Sequence, residues 1–167
     1  MEPTREDRME SLYAAYRNNI FHLCLFYLKD VQRAEDATQE TFLKAWRKFD
    51  SFRGGSSEKT WLTSIAVNNC RDQLRKAWLK HEKCAVFPDA LTNPAEDHES
   101  QEAADVVRAV WGLPVKLREV IVLRFYQGLT VKETARALGI SVSGVNARQA
   151  KAKEMLKPTL WEVYFDA

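Results

Sequence analysis

The stretch LTVKETARALGISVSGVNARQAKAKEML, residues 129 to 156, decides how this chain folds. Thr130 and Glu133 have capping-box spacing, in which each side chain satisfies the other's free backbone N–H at a helix start. Ala135 is small enough for two helices to approach closely. Gly139, four residues on, suits a left-handed turn that other residues adopt at a cost. Ile140 then plugs the core, Ser141 caps a second helix, and Val145 faces inward ten residues after Ala135. A small residue, a turn glycine and a buried aliphatic at these intervals predict a helix-turn-helix. An ordinary helical hairpin shares each feature singly. In combination with a basic second helix they favour DNA.

That second helix carries Arg148, Lys151, Lys153 and Lys157 against Glu154 alone. Its exposed side is expected to hold Ser143, Asn146, Ala147, Gln149 and Ala150, with Arg148 and Lys151 near the DNA backbone. Asparagine or glutamine pairs bidentately with adenine, and lysine suits phosphate or guanine. So few strong readers predict modest specificity and call for a second contact elsewhere.

Upstream, LPVKLREVIVLRFYQG (113 to 128) predicts a helix starting near Pro114, where a missing N–H costs little. Before it the composition shifts. From Cys84 to Val107 there is no Lys or Arg, while Asp89, Glu96, Asp97, Glu99, Glu102 and Asp105 accumulate and Pro88 and Pro94 break the pattern. The first half of this run reads as an acidic linker, and its end, from Glu99, as the start of another helix. Fully extended, its roughly 24 residues reach about 80 Å.

The first half of the chain is also helical. Leu12, Tyr16, Ile20, Leu23, Cys24 and Tyr27 make the apolar stripe of a helix from Met9 to Leu28, and Phe21 and Phe26 off that stripe predict cover on more than one side. A second helix is expected from Val31 to Phe49. SFRGGSSEKT (51 to 60) reads as a turn, and Thr60 as the cap of a third helix, Trp61 to about Lys80. There is no internal repeat and no strand-like alternation. The predicted fold is all-α: two small helical domains, 1–83 and 107–167, joined by an acidic flexible linker, 84–106.

The third helix has a core stripe of Leu62, Ile65, Ala66, Asn69 or Cys70, Leu74 and Ala77. Its other side presents Ser64, Asn68, Arg71 and Arg75, followed by Lys76, Lys80 and Lys83, with Phe52 and Arg53 in the glycine turn before it. A basic helix beside an aromatic turn suits backbone phosphate and a stacked, unpaired base. Trp61 and Phe52 fit equally well as core residues. Winding the second helix at 100° per residue gathers Ala34, Ala37, Thr41, Phe42, Ala45 and Phe49 on one side. Asp36, Glu40, Leu43 and Arg47 fall opposite, with Gln39 at their edge. A single exposed leucine is ordinary, yet an apolar knob in a polar rim is also how a docking patch looks. Spacing leaves both readings open.

Bulk properties set the limits. A chain of 167 residues with 46% hydrophobic and 29% charged residues forms a real core, which excludes wholesale disorder. The net charge of +2 favours no partner. Cys24, Cys70 and Cys84 are odd in number and form no paired framework, which points to a reducing cytoplasm. IFHLCLFYL, residues 20 to 28, is too short to span a bilayer and too far in for a signal peptide. His22 has no evident partner, and His81 with Cys84 has metal-ligand spacing but no second pair at zinc-site distance. No cofactor and no enzyme chemistry are expected.

LKD (28 to 30), AEDATQETFLKAWRKF (34 to 49), FRG (52 to 54) and TWLTSIAVNNCRDQLRK (60 to 76) resemble region 2 of an extracytoplasmic-function sigma factor. LPVKLREVIVLRFYQGLTVKETARALGIS (113 to 141) is similar to region 4 of the same family. The resemblance implies a bacterial initiation factor that binds core RNA polymerase, at the β′ clamp and β flap, and directs it to promoters. It implies that Asp36, Gln39, Glu40, Leu43 and Arg47 dock on the clamp coiled coil, which would explain Leu43. Phe52 and Asn68 match positions that hold a flipped base of the −10 element, with Arg53, Ser64, Arg71 and Arg75 along the same DNA-facing surface. Ser141, Ser143, Asn146, Ala147, Arg148, Ala150 and Lys151 belong to the helix that would read the −35 element. The acidic linker matches the segment threaded toward the polymerase active centre. Family members are often restrained by an anti-sigma protein, a further implied partner. The reading helix departs from the family's G-T-V-[KR]-S-R-like run: here it is SGVNAR, 143 to 148. Gly144 weakens the first turn, and Asn146 removes a cation. The rival is a stand-alone helix-turn-helix regulator, which leaves the 34 to 76 block without a role.

Overall fold

The computed structural model describes residues 1–80, 98–156, 161, 162 and 165, with the side chains of 98–103 excepted. His81, Lys83, Cys84, Lys157 and the expected linker up to residue 97 lie outside the described residues. The described residues form helices and turns, with no strand.

Helix α1 spans Arg5–Leu28. It starts four residues before the stripe suggested, because Thr4 and Asp7 form a capping box: the Asp7 amide donates to Thr4 Oγ1 at 3.1 Å and the Thr4 amide to Asp7 Oδ2 at 2.9 Å. Its last turns are buried on every side, Ile20 and Leu23 through Leu28. Lys29 turns the chain in left-handed geometry (φ 56°), and Asp30 caps α2, Val31–Lys48, by accepting from the Arg33 amide at 2.9 Å. After a 3₁₀ turn, Phe49–Ser51, helix α3 runs Glu58–Leu79. Its cap is Ser57, not Thr60: Ser57 Oγ accepts from the Thr60 amide at 3.1 Å. Thr60 is instead buried in the first turn, where its hydroxyl donates to Glu133 at 2.9 Å. These three helices pack into one bundle.

The second half contains α4 (His98–Trp111), α5 (Val115–Ile121), a π turn (Val122–Tyr126), α6 (Val131–Leu138) and α7 (Val142–Met155). The helix expected from Glu99 begins one residue earlier. The π turn is closed by the Gln127 amide donating to the Val122 carbonyl at 2.9 Å.

The two modules share one continuous core. Phe26, off the α1 stripe, is covered by Tyr126 and Trp111 of the second module, with ring centroids 5.0 and 6.4 Å away. Arg118, buried and charged, ties the halves together. Its guanidinium donates to the Trp111 and Leu113 carbonyls, both at 3.1 Å, and to the Tyr27 carbonyl at 3.3 Å. Donation to three carbonyls makes this burial tolerable. The two helical modules of the expected fold are present, folded against each other.

Candidate nucleic-acid interface and docking face

The helix-turn-helix forms as the local sequence dictates. Thr130 and Glu133 exchange capping-box bonds, both 3.1 Å. Gly139 ends α6 at φ 68°, and the Ile140 amide donates back to the Ala135 carbonyl at 3.0 Å. Val145 and Ala152 anchor α7 in the core. Ile140 is half-buried at the core's edge instead of plugging it. Gly144 gains a local reason. Ser141 Oγ accepts from its amide at 3.0 Å, and a Cβ there would lie 3.2 Å from that same oxygen.

Ser141, Ser143, Asn146, Ala147, Ala150 and Lys151 form an exposed face on α7. Gln149 does not join them: its carbonyl oxygen accepts from Arg124 Nε at 3.3 Å, so it faces α5 and the π turn. Arg148 turns inward and reaches Glu119 at 3.2 Å.

On α3, Asn68 is exposed while its neighbour Asn69 is buried, donating to Thr41 Oγ1 at 3.1 Å and accepting from Lys44 Nζ. Sequence spacing left Asn69 or Cys70 as the core position; both are buried. Arg75 and Arg53 are exposed, the former paired with Asp72 at 2.8 Å. Phe52 stacks on Trp61, centroids 4.7 Å apart and planes at 29°, which holds the glycine turn against the helix. Ser64 is half-buried and donates to the Thr60 carbonyl at 3.0 Å. Arg71 is half-exposed, and its guanidinium reaches the second module at Glu119 and Leu138. Beside Asn68 a pocket of about 290 Å³ is lined by Lys44, Arg47, Lys48, Ile65, Asn68 and Asn69. Lys44 and Lys48 are cations that sequence reasoning missed. Their i, i+4 spacing on α2 carried the signal, but not the direction of the pocket.

The polar side of α2 is where helical winding puts it. Asp36, Gln39, Leu43 and Arg47 are exposed and Glu40 half-exposed, whereas Ala34, Ala37, Thr41, Phe42 and Ala45 are buried. Leu43 stands 51% exposed within this polar rim.

Beneath these surfaces lies a charged cluster that local sequence did not reveal. Glu119 on α5 is buried, with a side chain 3% exposed. It accepts from Tyr27 Oη at 2.5 Å, Arg71 Nη2 at 2.9 Å and Arg148 Nη1 at 3.2 Å. Burial first, then the Glu119 charge, push the Tyr27 hydroxyl well above its ordinary pKa. Burial would lower the Arg71 pKa, but the bond and charge of Glu119 outweigh it and raise it. Arg71 Nη1 also donates to the Leu138 carbonyl at 3.0 Å, at the end of α6.

Among the described residues, no cluster of three or more His, Cys, Asp or Glu side chains suits a metal, and no helix is long and apolar enough to cross a membrane. The site is therefore a set of faces on a two-module helical protein: an exposed face on the second helix of the helix-turn-helix, a second face on α3 and an apolar-centred polar rim on α2. Residues 12–80 match the family Sigma-70 region 2, and residues 103–156 match Sigma-70, region 4. The ECF RNA polymerase sigma factor SigM of Mycobacterium tuberculosis is 31% identical over 147 residues, covering 88% of this chain and 74% of that protein. SigX of Bacillus subtilis is 29% identical over 161 residues, covering 91% and 83%. Among solved structures, the sigma factor RpoE in complex with the anti-sigma factor NepR from Bartonella quintana superposes with a TM-score of 0.74 at 25% identity, covering 92% and 96%. CnrH, solved in complex with the cytosolic domain of CnrY, does so at 0.67 and 25%, covering 93% and 88%. The chain belongs to the extracytoplasmic-function sigma factors, alternative initiation factors of bacterial transcription.

Proposed function

We propose that this chain docks on core RNA polymerase through Asp36, Gln39, Glu40, Leu43 and Arg47, contacting the β′ clamp, while its second module sits at the β flap. The observation that carries this reading is Leu43, half exposed on a helix whose inner side buries Phe42 and three alanines. An apolar centre in a polar rim gains stability only when a partner removes it from water.

Phe52, Arg53, Ser64, Asn68, Arg71 and Arg75 then hold the −10 element, with Lys44 and Lys48 drawing phosphate toward the pocket beside Asn68. Ser141, Ser143, Asn146, Ala147, Arg148, Ala150 and Lys151 read the −35 element. With Lys151 the exposed cation of that face and Arg148 engaged by Glu119, −35 binding by the isolated chain is weak, and its salt dependence shallow. Chemistry here is recruitment and melting. Unstacking a base costs a few kcal/mol, which the clamp and −35 contacts offset. No covalent step is needed. The modules divide at 1–83 and 107–167, the protein acts in the cytoplasm, and an anti-sigma protein restrains it, by analogy with RpoE, solved in complex with the anti-sigma factor NepR. Run-off transcription with purified core polymerase on a promoter library tests the whole reading. A chain that confers no template preference would refute it.

A further inference from the structure

We infer that Glu119 is a lock on two arginines of the proposed DNA faces: it holds Arg71 across the seam between the modules and, while the seam keeps it buried, Arg148 on its own module. The inference rests on the assignment of Arg71 to the −10 surface and Arg148 to the −35 helix. It goes further in naming what those arginines do when no DNA is present.

The geometry is specific. One buried carboxylate of α5 receives Arg71 of α3 at 2.9 Å, Arg148 of α7 at 3.2 Å and Tyr27 of α1 at 2.5 Å. Around it, the second module covers the start of α3 and the turn before it. Thr60 bonds Glu133, Arg136 Nη1 donates to the Gly55 carbonyl, and Arg71 reaches the end of α6 at Leu138. The Gln127 side chain also donates to the Asn19 carbonyl of α1 at 3.1 Å. The Arg71 side chain is 38% exposed, but its guanidinium donors are taken by Glu119 and the Leu138 carbonyl while α6 lies there.

Charge explains why this contact is a switch and not mere packing. A buried carboxylate without partners is costly, so Glu119 is stable in place only while the arginines attend it. A guanidinium binds phosphate with the same forked geometry it uses for carboxylate. Promoter phosphates and Glu119 therefore compete for the same donors. Parting the modules breaks the Arg71 and Tyr27 contacts and returns Glu119 to water, where its remaining pair with Arg148, on the same module, becomes an exposed ion pair that phosphate can displace. Docking the two modules at the separate clamp and flap sites proposed above supplies that separation.

The test uses the full-length chain with Glu119→Gln, and independently Tyr27→Phe, which removes one bond to Glu119 and keeps its charge. Binding of each free protein to a fluorescent promoter duplex is measured by anisotropy, alongside the radius of gyration by X-ray scattering. Glu119→Gln is expected to bind DNA about tenfold tighter than the parent and to be more expanded, with Tyr27→Phe changing in the same direction by less. Thermal melts followed by circular dichroism establish that each variant is folded, and if Glu119→Gln is not, Tyr27→Phe is decisive. Unchanged DNA affinity in the folded variants overturns the lock. Arg71→Ala and Arg148→Ala, assayed within the polymerase holoenzyme, separate the two levels. If they leave promoter binding intact, the assignment of the arginines fails; if they impair it while Glu119→Gln has no effect, only the lock fails.

Discussion

Truncating Leu43 isolates the proposed polymerase contact, because its outer half is exposed to solvent. Fully burying a leucine contributes about 1.5–3 kcal/mol. Leu43 is already about half covered, at 51% exposed, so the partner removes the remaining half, worth about 1 kcal/mol. Leu43→Ala should therefore weaken binding to core polymerase about five-fold. Leu43→Asp should cost more, since it drives a carboxylate into an apolar contact beside Asp36 and Glu40. Neither change should shift the melting temperature by more than a degree or two, because surface substitutions of this kind cost little. The assay is titration of labelled protein with core polymerase, with Trp78→Ala, an exposed aromatic on α3, as the control. Equal affinity for Leu43→Asp and the parent would refute the docking face on α2.

Asn68→Ala should bind core polymerase normally yet reduce open-complex formation, read as lower permanganate reactivity of −10 thymines. Gly139→Ala meets no atom within 4 Å, so its cost is the left-handed backbone alone, about 1 kcal/mol, visible as a lowered denaturation midpoint. The Tyr27 hydroxyl, raised in the fold by burial and by Glu119, contributes stability fully present below its unfolded pKa near 10 and lost as pH rises toward its folded value. The parent should therefore lose stability relative to Tyr27→Phe above about pH 10, as measured by urea melts across that range.

Sequence periodicity revealed most of the helices because their inner faces repeat every three or four residues, as on α2 and α7. It mistook the start of α3 because Ser57 and Thr60 are both good caps. What decides between them is Glu133, which engages the Thr60 hydroxyl from 73 residues away. Arg118 and Glu119, read locally in LPVKLREVIV, look like solvent-facing charges. They are buried because Tyr27, Arg71 and the Trp111 carbonyl converge on them from distant positions. The outward faces of α2 and α7 were legible for the complementary reason: exposure follows from winding alone. Gln149 and Arg148 escaped that rule where tertiary partners turned them inward.

The thiols of Cys24 and Cys70 sit together inside the first module, both with no exposed surface. Cys70 lies near enough to Tyr27 for their charges to interact, and Tyr27 bonds Glu119 at the seam with α5. Alkylation of the two thiols by a small maleimide is then a stopwatch for whatever motion uncovers the inside of the three-helix bundle. A perturbation that exposes the promoter surface without speeding that reaction has moved the halves apart and left the first one whole.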